Sequence, residues 1–205
     1  MRVADWTRRL AGLPEIGPEI VDLDASSQWH AIADEARPML FAAGWRARPR
    51  KTLILAPTYE RCLKWQTRLT LAGISEAWIH QLPSGISALF EDAAPEHIAL
   101  SDRIGALRTL AEDEPCIVLA TAPAALERTL PLEALLAASL SIRPGDSLDV
   151  EDLILRLSRL GYEYQEPVRL PGQYSQRGGI LDIYAAGREL PMRIELFGDE
   201  VESIR

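Results

Sequence analysis

The sequence predicts an α/β fold: a parallel-sheet layer with helices, followed by a small α+β domain with a mainly antiparallel sheet. Three observations predict it. Thr52–Ala56 (TLILA) and Cys116–Ala120 (CIVLA) are continuous apolar runs, the pattern of strands buried on both faces. Up to about residue 137 such runs alternate with helical periodicity, which argues for a parallel sheet covered by helices. From Tyr162 on the chain reads as short strands with close-set turns, which argues for an antiparallel meander. The chain has 205 residues, 47% hydrophobic and 25% charged. That is ordinary globular composition, and it suits one large domain or two small ones. The boundary is expected near residue 138, giving units 1–137 and 138–205.

The elements follow in order. Ala4–Leu10 reads as a short helix, and Ile20–Leu23 as a short strand. Asp24-Ala25-Ser26-Ser27 is turn and N-cap chemistry. A helix is expected from Ser27 to Ala43, with Pro38 as its kink or break. Arg46–Arg50 is a basic turn before the strand Thr52–Ala56. Thr58–Ala72 reads as helix, with Cys62, Trp65, Leu69 and Ala72 on one face. Ala77–His80 is a short strand, and Pro83 to Pro95 a long connection. Glu96–Leu110 is helical, and Cys116–Ala120 is the second buried strand. Pro123–Arg128 and Leu132–Ala138 read as short helices. Asp149 is placed to cap a helix from Val150 to Leu160. Strands are then expected at Tyr164–Leu170, Tyr174–Tyr184, Met192–Phe197 and Val201–Arg205.

Composition and motifs exclude several functions. Net charge is −8, so bulk attraction to phosphate is not the driver of binding. Two cysteines, Cys62 and Cys116, make no disulfide framework and read as core thiols. The histidines at 30, 80 and 97 show no metal-ligand spacing. The Walker pattern G-x-x-x-x-G-K-[ST] is absent from the sequence. The loop Asp24–Ser27 has no glycine to wrap a phosphate and no lysine to meet its charge. No catalytic residue, metal or cofactor is therefore expected. The tryptophan-bearing helices read as packing rather than base-stacking platforms. No apolar run approaches the ~18 residues of a membrane span. The N-terminus MRVADWTRRL lacks a signal-peptide core, so a cytoplasmic protein is expected.

The informative segment is Gly172-Gln173-Tyr174-Ser175-Gln176-Arg177-Gly178-Gly179-Ile180-Leu181-Asp182-Ile183-Tyr184, followed by Pro191 to Arg205 (PMRIELFGDEVESIR). Arg177 is expected at a strand start beside Gly178 and Gly179, which leave the backbone open to close approach. Arg193 and Glu195 are two apart and share one strand face, while Ile194 and Leu196 point into a core. This is a candidate recognition surface. Its plain structural reading is a solvated face with a local Arg193–Glu195 pair worth little.

This stretch resembles the N-terminal module of the bacterial transcription-repair coupling factor family (Mfd). The resemblance is nearly letter for letter over RGGILDIY and P-x-R-I-E-x-F-G-D-E-V-E-S-I-R, and looser upstream through 148–162, 123–131 and 82–110. The related excision protein UvrB has a similar core but an intact Walker motif, so the missing phosphate loop favours Mfd. The resemblance implies that 1–137 is a degenerate helicase-like (RecA-like) α/β domain. It implies that 138–205 is the domain by which Mfd and UvrB dock onto UvrA. Carried over residue by residue, Arg177 meets acidic groups on UvrA. Arg193 and Glu195 form an R-x-E pair on the same surface, and Tyr174 takes an aromatic position beside it. Two positions depart from the pattern. Glu163 and Tyr164 stand where the family usually has an arginine after Gly-Tyr. Ser175 stands where UvrB has an arginine, and Arg169 is the candidate substitute.

The implied mechanism is recruitment of UvrA to lesion-stalled transcription. RNA polymerase and DNA would be bound by domains outside this chain. A chain ending at Arg205 is expected to be a fragment or a truncated relative that binds and does no chemistry. Two other classes stay open on the residues alone: a residual nucleotide- or DNA-binding domain, and a packing module that holds a larger protein inhibited.

Overall fold

A computed structural model describes residues 3–12, 31–85 and 96–205. The expected strand Ile20–Leu23, the turn at 24–27, the first residues of the 27–43 helix, and most of the 83–95 connection lie outside them. The chain divides into two compact units: residues 1–82 with 112–126, and residues 83–111 with 127–205. The units interleave along the chain, whereas the boundary read near 138 is one of sequence order.

In the first unit, helices α1 (Val3–Ala11), α2 (Arg37–Ala47) and α3 (Tyr59–Leu71) accompany strands β1 (Thr52–Ala56) and β2 (Ile79–Leu82). Helix α2 starts ten residues later than expected. Ala31 has φ +57°, outside the helical region, and Pro38 stands in the first turn. Proline is tolerated there because that turn's N–H groups have no intrahelical acceptor. Pro38 therefore opens the helix rather than kinking it. At α3, the Thr58 side chain accepts from the Arg61 backbone N–H, as a capping threonine does. Thr7 Oγ1 and Arg46 Nη1 both donate to the Ala72 carbonyl, at 3.2 and 3.1 Å. They join α1 and α2 to the end of α3.

All three strands of this sheet are parallel, in the order β1-β3-β2, with β3 at Ile117–Thr121. The central strand is buried on both faces, as its apolar run predicts. Its neighbour β1 is not: Leu53 and Leu55 are about half exposed, and only Ile54 and Ala56 face the core. Position in the sheet, not composition, makes the difference. Trp45 is fully buried, donates from its indole to the Arg50 carbonyl at 2.8 Å, and meets Trp78 at a tilt of 57° with centroids 5.3 Å apart. Cys62 and Cys116 are buried free thiols, and burial raises the pKa of both above the usual thiol value. The connection from β1 to α3 is only Pro57-Thr58, and Thr58 caps the helix itself. Helix α5 (Ala122–Leu126) follows β3 directly.

The second unit contains α4 (Glu96–Ala111), α6 (Leu132–Ala138) and α7 (Val150–Arg159). Its five strands are β4 (Glu163–Tyr164), β5 (Gln173–Arg177), β6 (Ile180–Tyr184), β7 (Met192–Phe197) and β8 (Glu200–Ile204), in that order across the sheet. Three pairs are antiparallel. The short edge pair β4–β5 is parallel, so the meander is not complete. The expected strand 164–170 shortens to its first residue, because a loop containing Pro167 follows. The expected strand 174–184 is two strands. Gly178, at φ +58°, turns the chain between them, as the first residue of a type II′ hairpin turn requires.

Helix α7 lays Leu153 and Leu157 on Tyr174, Leu181, Ile183, Ile194 and Val201 of the sheet. Asp149 caps it by accepting from the Asp152 N–H at 3.0 Å. Glu151 and Asp152 sit in its first turn, and Arg156 and Arg159 in its last, each sign matched to the helix dipole. Strand β8 is irregular against β7 at Glu195/Leu196. Val201 and Ile204 therefore both reach the core side although they are three apart, the effect of a bulge. Helix α4 joins the β6–β7 turn. Ser101 Oγ accepts from the Gly187 N–H at 2.9 Å, and Gly105 lies so close that a Cβ there would stand 3.1 Å from the Gly187 Cα. Buried Arg103 donates to the Pro83 carbonyl at 3.0 Å and pairs with the Glu127 carboxylate at 3.6 Å.

Candidate functional site

The candidate residues fall on the C-terminal sheet, and strand alternation sorts them. Residues paired across neighbouring strands share a face. Arg177, Ile180, Glu195 and Ser203 form one such row across β5 to β8. Ser175, Asp182 and Arg193 form the next, continued to Arg205 by reciprocal backbone bonds between 193 and 205. Phe197, two residues beyond Glu195, lies on this side as well. The opposite side carries Tyr174, Leu181, Ile183 and Ile194 into the core.

The structure thus brings Arg177, Arg193 and Glu195 together on one face. It places Tyr174 on the other. That ring is buried and meets Tyr164 edge-on, with centroids 5.8 Å apart. Arg169 lies in the loop before β5, at the end of that strand away from Arg177. Its backbone N–H donates to Gln173 Oε1 at 2.9 Å. It helps line a cleft of about 500 Å³ with Gln165, Glu166, Pro167 and Leu170.

Arg177 closes β5 rather than opening a strand. It is exposed and has no ion-pair partner among the described residues. Gly178 and Gly179 form the turn beside it. A Cβ on Gly179 would stand 2.6 Å from the Leu196 carbonyl oxygen, and the Gly179 carbonyl accepts from the Leu196 N–H at 2.7 Å. The glycine therefore lets β7 approach the turn closely.

Arg193 and Glu195 do not pair with each other along the strand, as the plain reading of the sequence expects. Each bonds across it. Arg193 Nε and Nη2 donate to the two Asp182 carboxylate oxygens at 2.7 and 2.8 Å. That bond raises the arginine's pKa above its ordinary value. Glu195 accepts from Arg205 and, at 2.8 Å, from Ser203 Oγ. The Arg205 and Ser203 bonds lower its pKa below the usual carboxylate value.

Three residues of this face were passed over in the sequence. Phe197 is 82% exposed, Ile180 is 37% exposed, and Asp182 holds Arg193. The alternation 193, 195, 197 was the available signal for Phe197. Asp182 needed the register between β6 and β7, which sequence periodicity does not supply.

Residues 140–205 match the family model of the UvrB interaction domain, so over that stretch the chain carries a protein-interaction module. The chain is similar to bacterial transcription-repair-coupling factors. It is 38% identical to that of Bacillus subtilis (strain 168) over 120 residues, covering 58% of this chain and 10% of the relative. It is 33% identical to that of Myxococcus xanthus over 126 residues, covering 61% and 10%. It is 24% identical to that of Escherichia coli (strain K12) over 153 residues, covering 75% and 13%. The chain thus spans about a tenth of the length of the curated relatives it matches. No helix among the described residues is long and apolar enough to cross a membrane.

Proposed function

We propose that the chain is the UvrA-recruiting module of a transcription-repair coupling factor, acting in the cytoplasm, with residues 138–205 as the docking domain. RNA polymerase and DNA would be engaged by parts of the longer protein that the relatives possess and this chain does not span. One observation carries the reading: Arg177, Ile180, Arg193, Glu195 and Phe197 stand together on an open face backed by a packed core. Arginine and aromatic side chains are enriched where proteins meet. Gly178 and Gly179 keep the approach to Arg177 low. Arg169 and Tyr174 have different roles here: Arg169 would extend contact beyond the far end of β5, and Tyr174 would support the face from beneath.

The test is calorimetric titration of purified UvrA with the chain and with Arg177→Glu. The expected result is saturable binding that the variant loses while keeping its circular dichroism spectrum and melting temperature. Removing one partner of a desolvated charge pair costs about 2–5 kcal/mol, a loss of roughly thirtyfold or more in affinity. Full binding by the folded variant, or none by the wild type, would refute the reading.

A further inference from the structure

Asp182 and Arg193 stand directly opposite each other on β6 and β7. The carboxylate holds the guanidinium at two points, 2.7 Å at Nε and 2.8 Å at Nη2. The Asp182 side chain is 24% exposed and that of Arg193 50%, so the acid is the sunken partner and the guanidinium the presented one. A guanidinium has five N–H donors in a rigid planar fork. Two are used here, which leaves both donors on Nη1 and one on Nη2. Glu195, the next carboxylate along β7, is engaged by Ser203 and Arg205 and does not draw Arg193 away. On the same face Arg177 has no ion-pair partner among the described residues, so the two arginines are held differently.

We propose that Asp182 is a positioning residue of the docking face: it fixes the plane of the Arg193 guanidinium so that its unused donors meet a carboxylate of the partner already aligned. This rests on the docking reading above. An exposed pair of this kind contributes little to folding stability. Its larger effect is on binding, because a long flexible side chain that must be ordered on association weakens the complex, and one ordered beforehand does not. Freeing Arg193 is expected to weaken binding about two- to twelve-fold. Asp182 also carries negative charge toward an acidic partner, and simple repulsion would have the opposite sign. The direction of the effect therefore separates alignment from repulsion.

The experiment is a double-mutant cycle with purified UvrA as the probe: wild type, Asp182→Asn, Arg193→Ala and the double variant, each checked by circular dichroism and thermal melting. Asp182→Asn should weaken binding within the stated range and have no further effect once Arg193 is alanine. Asp182→Glu, which keeps the charge, should recover part of the loss. If Asp182→Asn does not fold, Asp182→Ser and Asp182→Glu complete the same cycle. Tighter or unchanged binding by Asp182→Asn overturns the proposal. So does an equal loss in both backgrounds, because Asp182 would then act without Arg193. A folded wild type that does not bind takes down the docking reading and this inference together. A wild type that binds and is indifferent to Asp182 takes down this inference alone.

Discussion

Arg177 and Arg193 share a face but answer to different forces. The first is free to follow a partner's charge, and the second is already committed to Asp182. Glu195 is committed too, and its pKa gives a pH signature. Its carboxyl titrates below the ordinary value because the folded state stabilises the anion through Arg205 and Ser203. A group depressed in this way adds stability above its unfolded pKa and loses it as pH falls through the folded one. Glu195→Gln should therefore lower the melting temperature at pH 7, and the difference from wild type should shrink as the pH is lowered below the ordinary carboxylate range and through the folded-state titration. Gly179 is constrained by contact: Gly179→Ala puts a methyl against the Leu196 carbonyl. Overpacking of this kind costs about 1–3 kcal/mol, which a shifted urea midpoint would register. The sequence displayed both glycines and all three charged residues. It did not show who pairs with whom, because register joins residues eleven apart, as in Asp182 and Arg193, and spacing along one strand cannot reveal it.

At the scale of elements, the supports of the face are α7 and the strands beneath it. The helix was legible from Asp149 and its apolar stripe, since both are local signals. Strands were legible in place but not in extent. The Gly-Gly turn splits 174–184, and the Pro167 loop leaves only a two-residue β4. The buried appearance of β1 misled, because an apolar run reports composition and not whether a strand is central or at an edge. Two substitutions separate the contributions to this unit. Asp149→Ala removes one cap and should cost about 0.5–2 kcal/mol. Leu181→Ala empties a fully buried position opposite Ile194 and should cost about 2–5 kcal/mol. Chemical denaturation of both variants should rank them in that order.

At the scale of the whole chain, the C-terminal sheet does not stand by itself. Helix α4 belongs to the same compact unit and meets the β6–β7 turn through Ser101, Gly105 and Gly187. A fragment of residues 138–205 lacks that helix and leaves the Gly187 N–H without its acceptor. It should melt at a lower temperature than the full chain under identical conditions, while a fragment begun at residue 83 should recover part of the difference. An equal melting temperature for the shortest fragment would show that α4 contributes nothing to the sheet. The sequence marked a change of style near 138 because helices give way to strands there. The return of α4 to the later strands is a long-range contact, which no local pattern encodes.

That contact also sets a timetable. Ser101 and Gly187 are 86 residues apart along the chain, and a ribosome adds roughly 5–20 residues each second. Helix α4 therefore leaves the ribosome some 4–17 s before the turn it docks on has been made, whereas each hairpin of the sheet has its partner strand within moments. During synthesis the helix waits for its turn, and β7 and β8, which follow that turn in the chain, are made later still, so α4 is the early-made and long-waiting part of this unit.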